Sequence, residues 1–126
     1  MPDNGFGMRK TVVLGASPKP ERHSFMTVSR LAAAGHEVIP VGFKEGRIGE
    51  TPILSGRPDI RGVHTVTLYL GAANQKGYYD YLLGLKLARI IFNPGAENEE
   101  LVSLAAAKGI ETVEACTLTM LSVGNY

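Results

Sequence analysis

The chain has 126 residues, 44% hydrophobic and 20% charged, with 13 basic against 12 acidic side chains and a formal charge of +1. That length suits one domain around one core. The near balance of charge excludes an electrostatic footprint for nucleic acid or an anionic membrane, so any anion site is local. A lone cysteine excludes an internal disulfide and fits a reducing cytoplasm.

Residues 1 to 8 are expected to form a flexible N-terminal extension of a single domain spanning 1 to 126, without the apolar core of a signal peptide. No run approaches the ~18 apolar residues that a membrane span needs. Thr11 to Leu14 is a short apolar, β-branched strand. Ser24 to Ala34 follows as a helix, with Phe25, Val28, Leu31 and Ala32 on one face and Gly35 as its stop. Glu37 to Val41 is the second strand. Lys44 to Ile60 is irregular, with a very short strand at Arg47 to Gly49. Val63 to Leu70 is the third strand, and Asn74 to Leu87 a helix weakened by Gly77 and Gly84. Arg89 to Phe92 is the fourth strand. Glu97 to Lys108 is a helix with three acids in its first turn and Gly109 beyond its end. Glu111 to Ala115 is the fifth strand, and Thr117 to Tyr126 docks as a short helix.

Strands therefore start near positions 11, 37, 63, 89 and 111, with connections too long for hairpins. The expected fold is α/β: a doubly wound, Rossmann-like domain with a five-stranded parallel sheet and helices on both faces. Ligands of such sheets bind outside the carboxyl ends of the strands. Those ends are Gly15-Ala16-Ser17, Val41-Gly42-Phe43-Lys44, Leu70-Gly71-Ala72 and Asn93-Pro94-Gly95-Ala96, each with a glycine that lets backbone approach a ligand or simply serves a turn.

The first loop carries the strongest chemistry. Gly15 permits a tight turn, Ser17 offers a hydroxyl, and Ser24 is placed to cap a helix whose N-terminus favours an anion. Lys19 and Arg22 add positive charge just ahead of it. Pyrophosphate suits that combination; a solvated mixed-charge loop is the other reading. At the second strand end, a NAD site would place an acid for the ribose hydroxyls. Here Lys44 and Arg47 favour a phosphorylated ribose instead, and Phe43 can pack on adenine. Coenzyme A and NADP both fit that description, as does a basic surface turn with no ligand.

Val13 to Arg22, Gly35 to Val41, Ile48-Gly49-Glu50 and Asn93 to Glu100, followed by Gly109 and Cys116, resemble the small stand-alone CoA-binding domain proteins. The fold of that family is similar to the N-terminal CoA-binding domain of the succinyl-CoA synthetase α subunit. The resemblance implies a CoA pyrophosphate near Gly15, Ala16, Ser17 and Arg22, and adenosine near Val41 to Lys44. It takes the pantetheine arm past Gly71 and Pro94 to Ala96. One departure is Gly42-Phe43, where the family's second strand commonly closes with Asn-Pro. The phosphorylated histidine domain of the synthetases and the DNA-binding winged helix of the redox-sensing repressors are both absent from the sequence.

His23, His36 and His64 share no metal-ligand spacing, and no metal site is expected. Glu97, Glu99 and Glu100 are acids at a helix start, and Tyr78, Tyr79 and Tyr81 suit either a contact face or amphipathic packing. Cys116, just past strand five, is either a thiol facing a thioester or a small buried hydrophobe. No nucleophile–base pair can be assembled, so no catalytic residue is predicted. The expectation is a module for a small-molecule nucleotide cofactor, CoA or an acyl-CoA, serving as carrier, sensor, homodimer or partner subunit. The alternatives are a small CoA- or NADP-dependent enzyme using Cys116 and a scaffold kept for protein contacts.

Overall fold

The computed structural model describes residues 8–126, so the expected extension lies outside the described residues except for Met8. β1 (Thr11–Leu14), β2 (Val38–Val41), β5 (Thr65–Leu68), β6 (Arg89–Phe92) and β7 (Glu111–Glu114) form one parallel sheet in the order β2-β1-β5-β6-β7. Each matches an expected strand. The chain steps from β1 outward to β2 and then returns across β1 to β5, so the strand order reverses between β1 and β5. That reversal is where such sheets open a crevice.

Period-two alternation decides what each face meets. Val12 and Leu14 of β1, Val66 and Leu68 of β5, and Ile90 and Phe92 of β6 point to one side. There they pack on α3 (Tyr79–Gly84) and α4 (Glu99–Ala107) through Leu82, Leu101 and Ala105. Val13 points the other way, into a smaller cluster with Val28 and Leu31 of α1 (His23–Ala33). α5 (Thr117–Val123) lies on that second face beside α1. Phe92, Leu14 and Leu68 are fully buried, and each contributes about 1.5–3 kcal/mol by leaving water.

Three expected elements differ. The irregular segment after β2 holds a hairpin, β3 (Arg47–Ile48) with β4 (Thr51–Pro52). Beyond it Leu54 makes a parallel bridge to Val41 on the outer side of β2. The helix expected over 74–87 is broken into α2 (Ala72–Gln75), a 3-10 turn at Lys76–Tyr78, and α3. The break falls at Gly77, whose carbonyl accepts from the Arg57 guanidinium. The helix expected from Glu97 starts at Glu99, because the Asn98 side chain accepts the Leu101 N–H and caps it. Glu97 stays outside, receiving the Gly95 N–H at 2.9 Å.

Candidate functional site at the carboxyl ends of the strands

Gly15 leaves β1 at φ +97°, and a Cβ there would stand 3.0 Å from the Tyr69 carbonyl carbon. Only glycine lets the loops after β1 and β5 touch at the reversal point. The Val41 carbonyl then accepts two bonds, from Gly15 N at 2.8 Å and Ala16 N at 3.0 Å. Those two N–H groups, together with the buried Ala16 and Val41 side chains, belong to the fold. An anion at this loop is left with side chains and the start of α1. Ser17 Oγ accepts the Lys19 N–H at 3.2 Å within the exposed loop, and Lys19 and Arg22 stay exposed.

Ser24 does not cap α1. The N-cap is Arg22, whose carbonyl receives the Met26 N–H, and no side chain caps the helix. Ser24 falls on the buried stripe with Thr27, Val28 and Leu31, so the residue packs inward instead of capping. The first N–H groups of the helix are left open at its positive end.

At the tip of β2, Gly42 is buried against the Ala16 carbonyl, and its N–H goes to Leu54 O at 2.9 Å. This contact pushes the next two residues outward: Phe43 is 69% exposed, and Lys44 is exposed beside it. Ala16, Ser17, Pro18, Lys19, Arg22, Phe43 and Lys44 together line an open cleft of about 200 Å³. Among the described residues no carboxylate pairs with Lys19, Arg22 or Lys44, so the cleft carries net positive charge. Arg47 is directed elsewhere, donating to Glu50 O at 2.6 Å within its hairpin.

The loops after β5 and β6 are braced together by a residue that sequence reasoning missed. Gln75 is fully buried, and its Nε2 donates to Leu70 O at 2.8 Å and Ala96 O at 2.7 Å. Its Oε1 accepts from Asn98 Nδ2 at 2.8 Å. The spacing 75, 78, 82 places it on the buried stripe of its segment, which is the signal that could have found it. Gly71, Pro94 and Gly95 are exposed on the rim, and Ala96 is buried. Asn93 is also buried. Its Nδ2 donates to Thr67 Oγ1 and Leu68 O while its Oδ1 accepts the Thr117 N–H, which docks α5.

Tyr69 was missed too. Alternation along β5 turns it away from Leu68, towards α1, where its hydroxyl meets Thr27 Oγ1. Burial pushes its phenol up to about 12, against the opposing hydrogen bond from Thr27. Glu21, Arg22, His23, Ser24 and Tyr69 line a second cavity of about 330 Å³, which shares Arg22 with the first. Cys116 stands at the start of α5, half-buried, near enough to Tyr69 to act on its titration. The Thr119 hydroxyl lowers its pKa from the ordinary thiol value. His36 stacks edge-on with Tyr126 and His64 bonds Thr65, both remote from this rim. Among the described residues no group of three or more His, Cys, Asp or Glu could hold a metal ion, and no helix is long and apolar enough to cross a membrane.

Comparison with known proteins bears on the fold and the family. A crystal structure of an uncharacterized protein, 49% identical, superposes with a TM-score of 0.93 over 95% of this chain and 99% of that one. A hypothetical protein from Pyrococcus horikoshii OT3, 22% identical, gives a TM-score of 0.83 over 92% and 83% of the two chains. A protein from Thermus thermophilus, 18% identical, gives 0.81 over 94% and 91%. The last two share the fold alone. No curated protein matches. The CoA binding domain family matches residues 9–122, nearly the whole chain, from just before the strand that opens the cationic cleft into the last helix, and the chain belongs to that family.

Proposed function

We propose that the chain is a binding module for coenzyme A or an acyl-CoA, acting as carrier or sensor with no chemistry of its own. The observation that carries this is the cleft at the β1 and β2 tips, where Lys19, Arg22 and Lys44 surround an exposed Phe43. In this reading Arg22, Lys19 and the open end of α1 take the pyrophosphate, with Ser17 beside it. Lys44 takes the ribose 3′-phosphate, and Phe43 stacks on adenine. The residues fit the group: three cations without carboxylate partners among the described residues suit its phosphates, and a solvent-facing ring suits its base.

The test is thermal unfolding with CoA, acetyl-CoA, NAD and NADP. A ligand present at 100 times its dissociation constant adds about 2.7 kcal/mol of stability. A rise with the CoA compounds alone is expected. A rise with NADP alone would move the site to redox chemistry, and no rise with any of the four would refute ligand binding. Phe43→Ala should leave the free protein's melting temperature unchanged, since the ring is mostly exposed. The same change should weaken CoA binding about 5- to 150-fold, the cost of about 1–3 kcal/mol of base stacking. Lys44→Ala should erase the preference for CoA over dephospho-CoA.

A further inference from the structure

A separate cavity opens at the other end of the sheet, where the strands begin. It occupies about 420 Å³ between residues 59–63, which lead into β5, and residues 84–86, which lead from α3 towards β6. That is larger than either cavity on the carboxyl rim, and it lies within the roughly 300–1,000 Å³ of ordinary small-molecule sites. The four residues of β5, about 13 Å of chain, separate it from that rim.

The first wall is held at both ends. Lys10 Nζ, just before β1, donates to Arg61 O at 2.6 Å, and the Tyr81 hydroxyl of α3 donates to Pro58 O at 2.5 Å. Val63 is buried in the core, and Ile60 and Leu85 pack against that core, so the cavity has an apolar floor.

On the opposite wall two neighbouring positions each break a local preference. Gly84 closes α3, where a side chain would support the helix better. A Cβ there would meet no atom within 4 Å, so packing does not require glycine. Lys86 has φ +58° and is the one non-glycine residue, among those described, in the left-handed region. Glycine is the easier choice at such a helix end. The exchange leaves a hollow open at position 84 and holds an ammonium group at its edge. Departures of this kind collect where a chain serves a ligand.

The charges around the hollow have both signs. Asp59, Arg61 and Lys86 all line it and all are exposed, and among the described residues none of the three is in an ion pair. A phosphate would be drawn by Arg61 and Lys86 but opposed by Asp59, and a simple carboxylic acid would leave Asp59 without a partner. A ligand carrying both signs satisfies all three. The floor of Ile60, Val63 and Leu85 requires the rest of its body to be apolar.

We propose that this cavity is a site for a free α-amino acid with an apolar side chain. Arg61 and Lys86 hold its carboxylate, Asp59 holds its ammonium group, and the side chain covers Ile60, Val63 and Leu85. The site is independent of the CoA reading above.

The experiment is calorimetric titration of the whole chain with L-leucine and L-phenylalanine at millimolar concentration. Each is compared with its amide, which lacks the carboxylate, and with its deaminated acid, which lacks the ammonium group. One or both amino acids are expected to bind, with each analogue weaker by about tenfold or more, the loss of one charged hydrogen bond. Gly84→Leu fills the hollow, and Lys86→Gly removes the ammonium group while relieving the left-handed backbone. Both variants should therefore melt at or above the wild-type temperature. Both should also bind the amino acid about tenfold more weakly or worse, a combination that a merely structural role would not produce. If neither amino acid binds, if the analogues bind as tightly, or if either variant binds as the wild type does, the proposal is overturned. CoA binding should be the same in all three proteins, and its loss in the variants would show one site instead of two and overturn the proposal as well. A chain that binds the amino acid but no CoA refutes the CoA reading and leaves this site standing.

Discussion

Gly42→Ala is the sharpest perturbation of this rim. A Cβ at that position would overlap the Ala16 carbonyl oxygen and lie 3.1 Å from its carbonyl carbon, backbone that no side-chain rotation can move aside. The loop after β1 must therefore lift, straining the bonds from Gly15 N and Ala16 N to Val41 O. Overpacking of this kind costs about 1–3 kcal/mol, and each weakened hydrogen bond adds up to about 1 kcal/mol. Reduced freedom of the unfolded chain returns about 0.4–1 kcal/mol. The net loss is about 2–4 kcal/mol, or roughly 8–15 °C in melting temperature for a domain of this size. Gly71→Ala is the control, since no atom lies within 4 Å of its added Cβ and its φ is −65°. That variant should melt at or slightly above the wild-type temperature. Circular dichroism melts of the three proteins are sufficient. If Gly42→Ala melts within about 2 °C of wild type, the loop is soft and the contact does not hold the cleft's shape.

Gln75→Leu leaves the Leu70 and Ala96 carbonyls and the Asn98 amide short of a buried partner, and should cost about 2–4 kcal/mol in urea unfolding. Gln75→Glu should do no better, because a carboxylate cannot donate to two carbonyls. Tyr69 is ordinarily a 10.0 group and titrates at about 12 in the fold. The folded form thus holds its proton more tightly, and stability present below pH 10 is lost as pH rises towards 12, by about 2–3 kcal/mol. Urea melts across that range should show the fall, and Tyr69→Phe should make it shallower, leaving the part that Tyr126, also raised by burial, contributes. Alkylation of Cys116 should reach half its limiting rate at a lower pH than for a free cysteine, and Thr119→Ala should move that midpoint upward.

The five strands were legible because each is an apolar or β-branched run closed by a turn, and their spacing alone implied a parallel sheet. Helix starts were less so. Three acids drew the start of α4 to Glu97, but a cap is a single hydrogen bond and Asn98 makes it. Ser24 has the chemistry of a cap, yet the phase of Thr27, Val28 and Leu31 turns it inward. In the site, Lys19, Arg22, Phe43 and Lys44 could be found from local composition, and they line one cleft. Spacing could place Gln75 on a buried stripe, but the roles of Tyr69 and Gln75 could not be read, because their partners Thr27 and Ala96 lie 42 and 21 residues away and only the folded chain brings them together.

The pair of hydrogen bonds that the Val41 carbonyl accepts limits what the loop can offer a ligand. With the N–H groups of Gly15 and Ala16 committed to the sheet, the attraction for phosphate in the proposed binding mode rests mainly on Lys19, Arg22 and Lys44, three solvent-facing cations. Charges so placed are screened over about 8 Å at physiological ionic strength. Capture therefore depends on the ions around the protein: strong in dilute buffer, weaker in salt, with the ring of Phe43 supplying the part that salt does not reach.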